Sequence, residues 1–354
     1  MSAASPPSRG ASAPAAASGE LLRVDDLTVH FRVRRGLRRK SDDIVHAADH
    51  VSLSIGKGTT LALVGESGCG KSTVARAILQ LVEPTGGAIR FMGTDLVGLK
   101  RRQRRDALRE AQVVFQDPYS SLNPRMTVHD LVAEPLRARS GLGGRRREDR
   151  VLELLEMVGL GTQHLWRRPH EFSGGQCQRI AIARALALEP ELVVLDEPTS
   201  ALDVSVQARI LVLLQELKEK LGLGYLFIAH DLAVVESMAD DVAVMYLGQI
   251  VERGPAAQVL RRPRHPYTAA LLASVPSPDP DERLGLKVLE GDVPSAVHPP
   301  AGCRFHPRCA YRMAVCDATA PEHRVVDGAT SRACHLPDDT SFGADGDPLV
   351  LDAG

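Results

Sequence analysis

The run Gly65-Glu66-Ser67-Gly68-Cys69-Gly70-Lys71-Ser72-Thr73 fits the pattern G-x-x-x-x-G-K-[ST]. Its residue types suit one task, the cradling of phosphates. Backbone N–H groups must come close to phosphate oxygens while the chain turns sharply, which needs glycine. Gly65, Gly68 and Gly70 supply that freedom, and a helix opening near Lys71 would aim its N-terminus at the anion. Lys71 would reach the β- and γ-phosphates as a point charge, the Ser72 hydroxyl would ligate Mg²⁺, and Thr73 would help hold the α- and β-phosphates. The competing reading, a Gly-rich turn without ligand, does not account for the full pattern lying between an apolar run and a helical one. Glu66 and Ser67 fill the variable positions, and Cys69 reads as a small residue filling its place rather than a reactive thiol.

A second constellation sits downstream. The apolar run Leu192-Val193-Val194-Leu195 ends in Asp196-Glu197. Asp196 at a strand end can reach a metal through water, whereas Glu197 points elsewhere and suits a residue that orients or deprotonates water. Two acids here could merely cap the next turn; beside a phosphate loop the catalytic reading is stronger. Four shorter stretches complete the set: Gln116 in Val114-Phe115-Gln116-Asp117-Pro118, Ser173-Gly174-Gly175-Gln176, Asp203 in Ser200-Ala201-Leu202-Asp203, and His230 in Ile228-Ala229-His230-Asp231.

In this order the motifs resemble those of the ABC ATPases, over roughly residues 22–262. The resemblance implies that Gln116 senses Mg²⁺ and faces a transmembrane partner, that Asp203 belongs to a loop crossing a dimer interface, and that His230 contacts the γ-phosphate. It also implies that Ser173 to Gln176 close over nucleotide held by a second ATPase subunit. ATP and Mg²⁺ are the expected cofactors, with Glu197, His230 and Gln116 as the catalytic set. Two departures stand out. Many relatives stack adenine on an aromatic residue shortly before the strand Val51 to Ile55, yet Ile44-Val45-His46-Ala47 offers no Tyr, Phe or Trp, leaving Val45 or His46 for that position. Phe172 also precedes the signature where Leu is commoner, and still fills an apolar place.

The stretch from Gln116 to Val128, the run His170 to Arg179 and the later His265-Pro266-Tyr267-Thr268 look like the ATP-binding subunits of oligopeptide/dipeptide importers. That branch implies ATP hydrolysis powering peptide import from the cytoplasmic face of the cell membrane. The partners implied are a second, non-identical ATPase, two transmembrane permease subunits whose coupling helix docks near residues 116–140, and an extracytoplasmic substrate-binding protein reached through the permease. Another cargo, such as a nickel chelate, fits the same importer type. A soluble ABC ATPase acting on DNA or ribosomes fits less well, because there is one cassette and a formal charge of -1, which gives no basic field for nucleic acid. A binding-only subunit is disfavoured by intact Lys71, Glu197 and His230.

Cys303, Cys309, Cys316 and Cys334 form C-x5-C-x6-C-x17-C. Four thiols this close suit zinc or an iron–sulfur cluster. The spacing lacks the paired C-x2-C knuckles of a zinc ribbon, and the importer resemblance implies a structural four-iron, four-sulfur cluster, with zinc and then free thiols as alternatives. His306 and His335 read as bystanders.

The elements that must position these residues alternate. Leu22 to Phe31, Val51 to Ile55, Thr60 to Val64, Ala88 to Met92, Gln112 to Gln116, Leu192 to Leu195 and Tyr225 to Ala229 read as strands. Helical spacing runs from Ser72, over Arg101 to Ala111, Val128 to Arg139, Arg150 to Val158, Gln178 to Ala187 and Ser205 to Leu221. The fold class expected is α/β: a P-loop ABC-type nucleotide-binding domain with a helical subdomain and a small Cys-rich C-terminal extension. The division expected is a disordered tail over 1–20, the ATPase domain over 21–262, the extension over 263–335 and an acidic tail over 336–354.

Composition agrees with a globular chain: 354 residues, 44% hydrophobic and 25% charged. The basic runs Arg34 to Lys40, Arg101 to Arg105 and Arg145 to Arg147 read as solvated faces or loops; the first could instead approach anionic lipid head groups. There is no apolar run of about 18 residues and no signal-peptide core in the tail, so a cytoplasmic location is expected.

Overall fold

The computed structural model describes residues 19–34, 42–139, 143–274, 291–343 and 348–349. The expectations for most of the N-terminal tail, the basic run after Arg34, the turn-rich stretch Pro276 to Pro280 and the end of the acidic tail fall outside that set.

In chain order, β1 (Glu20–Arg34), β2 (Asp42–Gly56) and β3 (Thr60–Val64) lead through the glycine loop into α1 (Lys71–Ile78). Then come β4 (Gly86–Phe91), β5 (Thr94–Asp95), α2 (Arg101–Ala107) and β6 (Ala111–Val114). A helical region follows: α3 (Pro118–Ser121), α4 (Val128–Arg139), α5 (Gly144–Met157) and α6 (Gly174–Leu186). The chain returns through β7 (Leu192–Asp196), α7 (Val204–Leu221), β8 (Gly224–Ala229), α8 (Leu232–Met238), β9 (Asp241–Tyr246) and β10 (Gln249–Pro255). It closes with α9 (Ala256–Arg261), α10 (Pro266–Ala273), α11 (Ala314–Ala318), β11 (His323–Val325) and β12 (Ser331–Ala333).

The main sheet has the order β11-β12-β10-β9-β3-β8-β7-β6. Its five strands from β9 to β6 are parallel. The continuous apolar runs in β3, β7 and β8 are buried at every position, as parallel strands covered on both faces require. Alternate residues serve the two faces. Leu61, Leu63, Val194, Leu226 and Ile228 join a core with α1 and the antiparallel sheet β2-β1-β4-β5. Ala62, Val64, Val193, Leu195 and Phe227 join a second core with α6, α7 and α8. In the helical region α4, α5 and α6 pack on one another through Leu131, Leu136, Leu154 and Ile180.

Several boundaries differ from expectation for local reasons. The last strand before the phosphate loop's own begins at Asp42, because its whole length pairs with β1. Helix α2 stops at Ala107, tightens into a 3₁₀ turn over Leu108–Glu110, and Ala111 already belongs to β6. Helix α6 starts at Gly174, so both signature glycines lie inside its first turn. Ser173 makes that possible as N-cap: its side chain accepts from the Gln176 N–H while the Gln176 side chain answers the Ser173 N–H. The C-terminal region also adds strands to the main sheet, with β12 pairing β10 through Glu252↔Arg332 and Arg253↔Ser331.

Candidate nucleotide-binding and hydrolysis site

The phosphate loop runs from the buried end of β3 into α1. Gly65 and Gly70 have φ of 149° and 110°, and a Cβ at either would lie 2.1 Å from the Met245 carbonyl oxygen or 2.0 Å from that of Ala47. Gly68 has open space but φ of 79°, so it serves the turn itself. Lys71 is buried, and its Nζ donates to the carbonyls of Gly65 at 2.7 Å and Glu66 at 3.0 Å. Ser67 and Thr73 flank these groups in the loop and in the first turn of α1. The Cys69 thiol is buried, and burial pushes its pKa up, against a reactive role.

Asp196 ends β7, and the Ser72 hydroxyl donates to its Oδ1 at 2.9 Å. The carboxyl is buried and held above the usual carboxylate range, first by desolvation and also by the neighbouring Glu197 charge; the Ser72 bond opposes both. Glu197 adopts a left-handed φ of 48°, which turns its side chain away from Asp196. Its Oε2 accepts from Gln116 Nε2 at 2.9 Å and lies 3.5 Å from His230 Nδ1. Three separated stretches (the turn after β6, the end of β7 and the end of β8) thus converge on one carboxylate oxygen.

The signature residues sit apart from this group, bonding to each other across the N-terminus of α6. Their glycines admit a neighbour: a Cβ at Gly175 would lie 2.3 Å from Val206 Cγ1, and one at Gly174 would lie 3.1 Å from Leu202. Asp203 immediately precedes α7 as its N-cap residue, without a side-chain cap bond. Tyr119 in α3 donates to the Phe172 carbonyl at 3.2 Å, and Arg184 in α6 donates to that of Ser121 at 2.8 Å. The segment after Gln116 is therefore tied to the signature helix.

The stretch Ile44 to Ala47 lies in β2, opposite β1. His46 pairs across the strands with His30, their rings 4.4 Å apart, beside Asp49. His30, His46 and Asp49 bring their ligand atoms within 4.8 Å of one another, but Asp49 already pairs with the Arg304 guanidinium and with His30, as an ion-pair network. The next pair in register is Phe31 with Val45, and Phe31 is 39% exposed. Residues directly opposite in an antiparallel ladder share a face, so Val45 does have an aromatic neighbour. The sequence hid it because the basic run separates the two strands.

Cys303, Cys309, Cys316 and Cys334 are all free. Among the described residues no three of their sulfurs lie within 4.8 Å of one another. Burial lifts the Cys303 thiol to about 11 and that of Cys309 to about 12, and the nearby thiols add to each shift. His335 donates its Nε2–H to the Thr319 carbonyl, and His306 donates its Nδ1–H to that of Cys303.

A sheet of this order, opened by a phosphate loop and closed by a carboxylate held between an amide and an imidazole, defines a P-loop ATPase. The comparisons narrow the class. The ABC transporter family matches residues 48–200, and the oligopeptide/dipeptide transporter C-terminal region matches residues 251–316. The chain is 47% identical over 315 residues to the di/tripeptide transport ATP-binding protein DppF of Pseudomonas aeruginosa, spanning 89% of this chain and 97% of that protein. It is 48% identical over 318 residues to the oligopeptide transport ATP-binding protein OppF of Salmonella typhimurium, spanning 88% and 94%. Among solved structures, a dimeric ATP-binding cassette in a post-hydrolysis state with ADP and phosphate superposes with a TM-score of 0.60 at 29% identity, covering 67% of this chain and 99% of that one. The chain belongs to the ATP-binding proteins of ABC transporters, in the oligopeptide/dipeptide group, and is an ATPase that uses ATP and Mg²⁺.

Proposed function

We propose that this chain hydrolyses ATP to power peptide import through an ABC transporter. The observation that carries the reading is the meeting of Gln116, Glu197 and His230 at one carboxylate oxygen, beside the Ser72–Asp196 pair and the Lys71 loop. In this reading Gly65 to Thr73 cradle the phosphates. Ser72, Gln116 and Asp196 serve Mg²⁺, Glu197 polarises the attacking water, and His230 contacts the γ-phosphate. Phe31, beside Val45, stacks on adenine. Ser173 to Gln176 and Asp203 act across a dimer interface on nucleotide held by a second ATPase subunit. The names of the relatives support peptides as cargo.

The partners in this reading are two permease subunits, served by an extracytoplasmic binding protein, with the ATPase on the cytoplasmic face of the membrane. Among the described residues no helix is long and apolar enough to cross a membrane. We read residues 21–262 as the ATPase domain and residues 263–335 as the extension. For the four C-terminal thiols we favour an iron–sulfur cluster over zinc. The donor set suits a metal group, because buried thiols ionise only beside positive charge. Cys303, Cys309, Cys316 and Cys334 would hold it, and it would brace the extension. Iron and zinc analysis with an absorption spectrum of anaerobically purified protein tests this.

The hydrolysis reading is tested in the purified transporter complex with Glu197→Gln. Loss of a general base predicts a fall in turnover of about 100-fold or more with ATP binding retained. Turnover equal to the parent would remove Glu197 from that role.

A further inference from the structure

The phosphate loop is gripped from outside the cassette motifs. Glu66, its first variable residue, donates its backbone N–H to the Tyr267 hydroxyl of α10 at 2.9 Å. Its carboxylate receives both terminal nitrogens of Arg308, at 2.6 and 3.0 Å. The Arg308 side chain is only 5% exposed, and this is a bidentate pair spanning 242 positions of sequence. Such partly buried, two-pronged pairs fix geometry in a way that single exposed ion pairs do not.

Arg308 sits on a short loop that makes a second hold. Arg304 donates to the Leu247 carbonyl at 2.5 Å and pairs with Asp49. The adjacent Gly248 N–H donates to the Cys69 carbonyl at 2.9 Å, on the far side of the phosphate loop. Between the two arginines, Phe305 is buried against Tyr246 and Tyr267, with ring centroids 5.2 and 5.3 Å away. One seven-residue loop, Cys303 to Cys309, therefore anchors on an aromatic cluster and presents one guanidinium to Glu66 and another to the turn that holds Cys69.

We infer that Arg308 is a positioning residue for nucleotide binding, and that the Cys303–Cys309 loop is a strap that keeps the phosphate loop in its binding geometry. The inference rests on the assignment of Gly65 to Thr73 as the phosphate cradle. Lys71 takes its place from the carbonyls of Gly65 and Glu66, so a Glu66 free to move shifts the charge that must meet the β- and γ-phosphates. A loop ordered beforehand spares nucleotide binding the cost of ordering it.

The test is equilibrium binding of Mg-ATP to the full chain, by displacement of a fluorescent ATP analogue. The chains compared are the parent, Arg308→Ala, Arg308→Lys, Glu66→Gln, the Arg308→Ala/Glu66→Gln double variant and Lys71→Ala. Arg308→Ala and Glu66→Gln are each expected to raise Kd about tenfold, equivalent to about 1.4 kcal/mol. The double variant should match either single one, because both break the same pair, and Arg308→Lys should recover part of the loss. A Kd within about twofold of the parent, with only a lower melting temperature, would assign Arg308 to bracing the extension and overturn the inference. Should Arg308→Ala not fold, Glu66→Gln alone decides between these outcomes. Lys71→Ala separates the levels: if it too leaves ATP binding intact, the phosphate-cradle assignment fails, whereas if it alone abolishes binding, only the strap fails.

Discussion

His265 should make the protein acid-sensitive by a calculable amount. Its Nδ1 caps α10 by accepting the Tyr267 N–H at 3.0 Å, and the His265 backbone N–H donates to the Glu252 carboxyl at 3.0 Å. Only a neutral imidazole can accept at Nδ1. Burial, reinforced by the Arg332 and His323 charges, holds the ring at about 3, against an ordinary value of 6.5. The native state thus keeps the neutral ring while the unfolded chain takes up a proton below 6.5. The stabilisation is complete above that value and is lost as pH falls toward the native one. At about pH 5 the unfolded imidazole is roughly 1.5 units below its own pKa, which at about 1.36 kcal/mol per unit destabilises the fold by about 2 kcal/mol. Glu252 complicates the raw profile. Burial raises its carboxyl to about 7, so its contribution is lost in the opposite direction, as pH rises from about 4.5 toward 7. The assay is therefore a difference: urea unfolding at about pH 7.5 and pH 5 for the parent and for His265→Asn, whose side-chain oxygen can cap the same helix without titrating. The parent should lose about 2 kcal/mol more than the variant over that interval. Parallel losses would mean that His265 accepts its proton in place, and the neutral-cap argument would be refuted.

Two further outcomes follow from geometry. Gly175→Ala puts a methyl 2.3 Å from Val206 Cγ1; thermal unfolding should register about 1–3 kcal/mol of overpacking, and adding Val206→Ala should recover most of it. Phe31→Ala should raise the Kd for ATP about tenfold, the size of one lost base–aromatic stack. Inorganic triphosphate, which has no base, should bind both forms alike; an equal loss for both ligands would place Phe31 away from adenine.

What the sequence could disclose follows from how local each requirement is. A phosphate loop is contiguous, so Gly65, Gly70 and Lys71 announce themselves, and the close contacts at Gly65 and Gly70 explain why no other residue would serve. The strands β3, β7 and β8 are legible as continuous apolar runs, because burial on both faces removes the polar alternation of a half-exposed strand. Phe31 was not legible beside Val45, since their proximity depends on a cross-strand register set over the intervening basic run. The grip of Tyr267 and Arg308 on Glu66 spans 201 and 242 positions, and no local pattern encodes it. His265-Pro266-Tyr267-Thr268 was conspicuous as a motif, yet its meaning, a neutral cap presenting a hydroxyl to the phosphate loop, needed the third dimension.

The groups assigned to nucleotide are bonded to one another: Lys71 to the loop carbonyls, Ser72 to Asp196, and Gln116 to Glu197. Binding Mg-ATP must therefore exchange these bonds for bonds to phosphate and metal, and an exchange yields less free energy than the same contacts made afresh. Under such a balance, affinity depends on how little the loop must reorganise, which makes remote holds on Glu66 and Cys69 consequential for nucleotide. The same logic applies to Glu197. Gln116 ties that carboxylate to the segment whose Tyr119 reaches the signature helix through Phe172, so two hydrogen bonds link that helix to the oxygen proposed to activate water. In the dimer proposed above, hydrolysis in one chain would thus be sensitive to what its signature helix touches in the other.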